Sequence, residues 1–403
     1  MPVEIRTRAA LGGRVPLHAS PVGVLASFFV QVPNEEGLEP IVFERTLAAQ
    51  EAGGFDAVLI PQRSFTADVW SLASWAVART KHLGIIASHR PGVQSPTHAA
   101  RALATIDILS GGRIQVHFIQ SASEGDIAGD GDFLSKTEGY RRSAEYVSLF
   151  EQELRAVEQF DYEGEFYRVR GARSSVHPIQ RPRPVFQAAG SSPEGFAFAT
   201  AHADLWAYRA LGLEQIGTEL ERARLAARGL GRTIAGWAGG YNVILAKTDE
   251  AAWDLARETA DFVANYIRLR QQEDPSFRPF SYGDAKAFEL AADSREEGQF
   301  RPERALYTRL SALTGHGPSL VGTPDSVADY LTDHYRLGVS AITLGGLSEL
   351  YGKDGEELLD PSTQELRRAL VRTLRERTTQ VDVEAARNPA LVDHPRAIAE
   401  ANA

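Results

Sequence analysis

Ionisable and hydrogen-bonding side chains collect where apolar runs give way to polar loops. His117 stands inside the run Arg113 to Ile119, which empties into a loop dense in Gly, Ser and acid that opens with Gln120 and Ser121. An imidazole there could hold or move a proton near neutral pH, or be a satisfied core residue. His89 ends the run "HLGIIASH" beside Arg90, Thr66 follows "FDAVLIP", and Asn242 lies in "GGYNVILA". Thr66 reads equally well as a hydroxyl capping the helix that opens near Ala67 and Asp68. At 188–195, "AAGSSPEG" brings Gly190, Ser191 and Ser192 to a strand-to-helix turn. Bare N–H groups and two hydroxyls at a helix start could hold a phosphate, although ordinary tight loops share the pattern. Asp126, Asp130 and Asp132 form either a carboxylate cluster or a solvated acidic loop. His316, between two glycines, could ride on a mobile lid or sit on the surface.

Composition removes several kinds of chemistry. The chain has 403 residues with 43 basic and 53 acidic side chains, a formal net charge of −10. That sign argues against nucleic acid or an anionic membrane as partner. Zero cysteines rule out a disulfide framework, thiolate metal ligation and cysteine catalysis. The ten histidines show no HExxH or His-x-His spacing, so no metal site is expected. The longest apolar run, Val22 to Val30, is well short of the roughly 20 residues of a membrane helix. The N-terminus has no apolar signal core, and a cytoplasmic protein is expected.

These residues need a frame, and the chain repeats one. Val22 to Val30 reads as a first buried strand after an N-terminal arm at 1–20. "FDAVLIP", "HLGIIASH", Arg113 to Ile119, "VFQAAG", "ADLWAYR", "GGYNVILA" and "GVSAITLGG" read as strands two to eight. Helices follow at the 3.6-residue period with caps such as Ser95-Pro96 and Thr248. Gly111-Gly112 ends the helix before strand four. The repeat predicts an α/β fold, a (β/α)8 TIM barrel, with its mouth at the strand C-termini, where Thr66, His89, His117 and Asn242 would converge. One barrel domain is expected over 21–378, with insertions at about 119–137 after strand four, 156–183 containing a small hairpin, and 268–318 between strands seven and eight. A mobile polar tail is expected over 379–403.

Several stretches together resemble the bacterial luciferase-like flavin-dependent monooxygenases, most of all the alkanesulfonate monooxygenase branch. They are "GFDAVLIP", "RPGVQSPTHAARALATIDILSGGR", "AGDGDFLSKTEGYRRSAEY", "FDYEGEFYRVRGA", "AAGSSPEG" and "VILAKTDEAAW", in family order across most of 22–350. The resemblance implies an enzyme that uses FMN as FMNH2, supplied by a separate, transiently met NAD(P)H-dependent flavin reductase. It would oxygenate a small molecule with O2 through a flavin peroxide. It also implies a homodimer or homotetramer. Carried over by position, Gln62 falls at a flavin-ring contact, and His117 stands where relatives have Asn. Asp126 replaces a Glu, Tyr140 matches a Tyr near the flavin tail, and Gly190, Ser191 and Ser192 match the phosphate turn.

The departures bear on substrate. Thr66 replaces a Cys, Asn242 replaces a His, and Gly240 replaces an Arg beside it. Leu313 and Leu347 fall where a sulfonate-contacting Arg and a Tyr are expected, and His316 joins them in the substrate region. An unpaired anion in a dry pocket costs several kcal/mol, so the losses favour a neutral, more apolar substrate. Two alternatives fit the same frame: a deazaflavin-dependent oxidoreductase transferring hydride, and a non-catalytic flavin-binding protein.

Overall fold

A computed structural model describes residues 2–30, 37–120, 124–209, 212–277, 279, 305–346 and 350–387. Its strands in chain order are β1 (Glu4–Arg8), β2 (Ala57–Ile60), β3 (Gly84–His89), β4 (Ile114–Phe118), β5 (Phe160–Glu163), β6 (Arg168–Ala172), β7 (Phe186–Ala189), β8 (Leu205–Arg209), β9 (Ala235–Leu245), β10 (Leu306–Tyr307), β11 (Ser319–Gly322) and β12 (Val339–Gly345). Hydrogen-bonded neighbours run β9, β12, β1, β2, β3, β4, β7, β8, and β8 pairs again with β9, so eight strands close in chain order. Pairs such as β1 with β12, β3 with β4 and β7 with β8 are parallel. Helices occupy the connections, which makes the fold a (β/α)8 barrel.

Contacts divide the chain into two compact units. The unit formed by Ala57–Tyr208 and Thr218–Trp237 carries β2, β3, β4, β7 and β8. Strand alternation sends Ala87, His89, Val116 and Phe118 to one face and Ser88, Gln115 and His117 to the other. Phe118 packs edge-on against Phe150 of the helix Lys136–Arg155 at 5.5 Å and against Phe186 at 5.2 Å. That face is therefore the helix-covered core, each ring adding about 1.5–3 kcal/mol by burial. Local signals fix the helix ends. Asp68 caps Val69–Arg79 through Ser71 N, Gly111 at φ 68° ends Pro96–Ser110, and Ser135 and Glu138 form a capping box. The hairpin expected within 156–183 is the antiparallel pair β5 and β6.

The other unit, Met1–Asp56, Arg209–Gly217 and Ala238–His394, contains two corrections. Val22 to Val30 is not a strand; the helix Pro21–Val30 covers it. Pro21 sets φ for a first helical residue, and Ser20 Oγ accepts from Gly23 N at 3.2 Å. Periodicity cannot separate strand from helix in a run with every residue from Gly23 to Val30 buried. The first strand is instead "EIRTR", inside the expected arm, with Ile5 paired to Ile342 and Arg6 to Thr343. Its polar look hid it: Glu4 and Arg6 pair at 2.7 Å on one face while Ile5 is buried on the other.

The expected tail is also shorter. The helix Pro361–Arg387 runs past Thr379 because Val381 is buried and Asp382 accepts from Tyr335 Oη at 2.6 Å. In the insertion expected at 268–318, the helix Asp249–Glu273 extends to 273, and β10 and the short helix Arg309–Thr314 follow.

Candidate active site

Parallel pairing fixes which side chains share the inner face. Ser88 pairs with His117, and His117 with Gln187, so three polar residues lie abreast on β3, β4 and β7. All three are buried. Gln187 Nε2 donates to Gln115 Oε1 one step down β4. His117 meets Trp237 edge-on, 4.9 Å between ring centroids, and Trp237 belongs to the part of β9 in this unit. An imidazole flanked in register by Ser88 and Gln187 and packed edge-on against an indole is held in place, and it faces the barrel interior rather than the helices.

His89 does not join it. One residue further along β3 than Ser88, it turns to the helix side, where Nε2 and Tyr146 Oη lie 2.6 Å apart and Trp70 is 5.2 Å away. It is 1% exposed, and burial pulls its pKa down to about 3. Strand alternation makes this a neutral core histidine, correcting the expectation that it would face the mouth.

The loops after β2, β3 and β4 are latched by arginines. Gln62 Oε1 accepts from Arg90 N at 2.8 Å. The Arg90 guanidinium is 2% exposed and pairs with Asp126 Oδ2 at 3.1 Å and with Asp130. Asp126 Oδ1 also accepts from Ser64 N at 3.1 Å and Ser64 Oγ at 2.9 Å. Asp132 pairs with Arg142, which donates to Pro91 O at 3.0 Å. The acidic loop is thus neither solvated nor a vacant carboxylate cluster, and its charges are spent on tying three loops together. Thr66 serves the same loop, its Oγ1 accepting from Arg63 N at 2.9 Å, while Asp68 caps the helix. Sequence reasoning had passed over Arg90 and Arg142, although an arginine directly after a strand end was a readable signal.

The turn after β7 is the tightest part of the site. Ser192 caps the helix Pro193–His202, its Oγ accepting from Gly195 N at 3.2 Å. A β-carbon on Gly195 would lie 2.7 Å from Tyr140 Oη and 2.9 Å from Gly190 Cα, and Gly190 takes φ 145°. Both glycines are required so that strand end, helix start and the Tyr140 hydroxyl meet. Burial raises the Tyr140 pKa, so its hydroxyl stays a donor, and it bonds Ser192. The Glu194 carboxylate is held below its usual range by its own backbone N–H and the Ser192 hydroxyl. A carboxylate of the chain thus already occupies an anion position at this helix start. Gly190, Ser192 and Tyr140 thus meet at one helix start, with Ser191 exposed beside them.

In the other unit, Asn242 uses its side chain to hold a turn: Nδ2 donates to Gly317 O at 2.8 Å and its N to Pro318 O at 2.9 Å. The turn carries His316, which lies between Phe28 and Phe29 at 5.3 and 5.5 Å, its Nδ1 3.1 Å from Thr314 Oγ1. Burial, then Arg14 and Arg8, pulls the His316 pKa down to about 3. His316 is clamped, neither on a free lid nor on the open surface. Leu313 is half-buried on the helix Arg309–Thr314, and Leu347 falls outside the described residues. A separate cleft of about 100 Å³ is lined by Val24, Leu25, Ile244, Leu255 and Leu359. The one carboxylate on it, Asp360, is engaged by Ser362 and Thr363.

The profile of the luciferase-like monooxygenases matches residues 21–341. EDTA monooxygenase from Chelativorans sp. BNC1 superposes with a TM-score of 0.69 at 18% identity, over 94% of this chain and 94% of that one. A long-chain alkane monooxygenase gives 0.66 at 18% over 94% and 92%. The coenzyme F420-dependent tetrahydromethanopterin reductase from Methanopyrus kandleri gives 0.59 at 15% over 93% and 99%. At these identities the structures share the barrel, and the profile match supplies the family. A match over most of the chain, on a closed eight-stranded barrel, means that this protein belongs to the luciferase-like, flavin-dependent monooxygenase family.

Proposed function

We propose that the enzyme is the oxygenating component of a two-component system, binding FMN in its reduced form and oxygenating a small organic substrate. The observation that carries this reading is the turn after β7, where two glycines, the Ser192 cap and the buried Tyr140 hydroxyl meet at a helix start. Such a cradle suits a terminal phosphate monoester, as FMN carries. When bound, reduced flavin supplies two electrons, so that one atom of O2 enters the substrate and the other leaves as water. Ser191, Ser192 and Tyr140 would hold the phosphate, with Glu194 swinging away as the stronger anion arrives. His117, fixed by Trp237, would face the ring system and could hold a proton there. The Arg90 and Arg142 latches tie the loops after β2, β3 and β4 to one another, and in this reading that would help keep water from the reacting atoms.

In this reading a separate NAD(P)H-dependent flavin reductase delivers the reduced FMN in a transient encounter, and the enzyme works as a cytoplasmic homodimer or homotetramer. The test is an anaerobic titration with reduced FMN, oxidised FMN and reduced deazaflavin. The reading expects reduced FMN to bind at least tenfold tighter than either of the others. Selective deazaflavin binding would move the enzyme to hydride transfer, and tight oxidised FMN binding to a flavin carrier.

A further inference from the structure

The turn after β7 is held by a side chain that belongs to neither that strand nor its helix. On β8, Trp206 pairs in register with Ala188, and Leu205 with Gln187. Gln187 lies on the interior face beside His117, so alternation turns Trp206 to the helix side. There the indole is 2% exposed and reaches both halves of the turn. Its Nε1 donates to Gly190 O at 3.2 Å, just past the end of β7. Its rings meet Phe196 edge-on, with centroids 5.4 Å apart. Phe196 stands in the first turn of the helix Pro193–His202, and its N donates to Ser192 O at 2.8 Å. The Arg222 guanidinium, from the helix Leu213–Gly229, lies 3.7 Å over the same ring. All of these residues fall in the unit that carries β7 and β8.

The bond to Gly190 O fixes the orientation of one peptide group. A trans peptide points its C=O and N–H in opposite directions, and the peptide between Gly190 and Ser191 is trans. With the carbonyl drawn to the indole, the Ser191 N–H points away from Trp206. No acceptor among the described residues takes that N–H, and Ser191 is exposed. Gly190 sits at φ 145°, and a residue without a β-carbon has other conformations of similar energy within reach. A flip of this peptide is therefore cheap, and it would present the carbonyl oxygen where the N–H had stood. An oxygen there repels an anion, whereas an N–H binds one. The indole selects between the two, because a flip would leave its buried N–H without an acceptor.

We propose that Trp206 is a positioning residue for the phosphate turn. By holding the Gly190 carbonyl it keeps the Ser191 N–H available to an anion, and so sets the preference for a phosphorylated flavin over the unphosphorylated one. It acts through the Gly190 peptide rather than on the ligand. The proposal rests on the reading of this turn as the phosphate site.

The test compares reduced FMN with reduced riboflavin, which differ only in the phosphate, by anaerobic titration of the wild type and of Trp206→Phe. Phenylalanine keeps an aromatic ring against Phe196 and removes the donor. The wild type should bind FMN at least about tenfold tighter than riboflavin. In Trp206→Phe, FMN should weaken about three- to tenfold, the worth of one hydrogen bond, while riboflavin stays within about twofold. A role in packing alone would weaken both flavins alike and leave their ratio unchanged. That outcome overturns the proposal, as does a variant that binds both flavins as the wild type does. Should Trp206→Phe fail to fold, the benzothiophene analogue of tryptophan at 206, with sulfur in place of N–H, makes the same comparison. A wild type that binds the two flavins equally would instead refute the phosphate reading of the turn, and the proposal with it.

Discussion

Replacing Gly195 by alanine tests the phosphate turn at its narrowest point. The added carbon would sit 2.7 Å from Tyr140 Oη, 3.2 Å from Tyr140 Cζ and 2.9 Å from Gly190 Cα. The tyrosine can swing away, but the Gly190 backbone must shift, and overpacking of this kind costs about 1–3 kcal/mol. In a helix, alanine regains roughly 1 kcal/mol over glycine, so the folded protein should lose little stability. Ligand affinity has no such compensation, because the shift opens the array of N–H groups and displaces the Tyr140 donor. At about 1.4 kcal/mol per factor of ten, the penalty corresponds to a roughly five- to hundredfold weaker complex. The assay is anaerobic titration of reduced FMN, with the melting temperature measured in parallel. Tyr140→Phe removes the closest contact but leaves the one to Gly190, so the double variant should not recover wild-type affinity. An FMN affinity within twofold of wild type for Gly195→Ala would refute the cradle.

Three further perturbations probe the frame around it. His89 has a folded pKa of about 3 against 6.5 for the free group; as pH falls below 6.5 the unfolded chain takes a proton that the folded one refuses. Stability is therefore lost across 6.5 to 3, by up to about 1.4 kcal/mol per pH unit. His89→Phe should be less stable at pH 7, through the unpaired Tyr146 hydroxyl, but the gap should narrow by up to about 2 kcal/mol at pH 5. A gap in the urea midpoints that stays constant would count against the assignment. Arg90→Met strands Asp126 and Asp130, which are 12% and 25% exposed, and should cost roughly 2–3 kcal/mol. Adding Asp126→Asn should return part of that loss in denaturant melts, and no recovery would mean that the latch is not electrostatic. His117→Asn should be tolerated, with reduced FMN affinity within about threefold and product formed per flavin oxidised within twofold; a tenfold drop in that coupling would instead assign proton transfer to the imidazole.

Much of the barrel was legible because buried parallel strands are short apolar runs closed by glycine, capping residues and proline. β2, β3, β4, β7, β8, β9 and β12 all fall where such runs predict them. β1 was missed because its inner face carries Glu4 and Arg6, whose mutual pairing makes burial affordable but gives no apolar signal. Pro21–Val30 was misread because a run buried on every side has no period. At the site, the Ser192 turn was visible as a cap and a small-residue run. The orientation of His89 was not, since one residue of register separates the helix-facing side from the interior. The role of the acidic loop was also hidden, because its partners Arg90 and Arg142 come from separate segments.

The most direct test of the central claim is stopped-flow mixing of the anaerobic complex of reduced FMN with oxygenated buffer, followed by absorbance. The account predicts that the protein changes the course of reoxidation, with a transient spectrum belonging to neither reduced nor oxidised FMN that is lost in Gly195→Ala at the same flavin concentration. Reoxidation indistinguishable from that of free reduced FMN would contradict it.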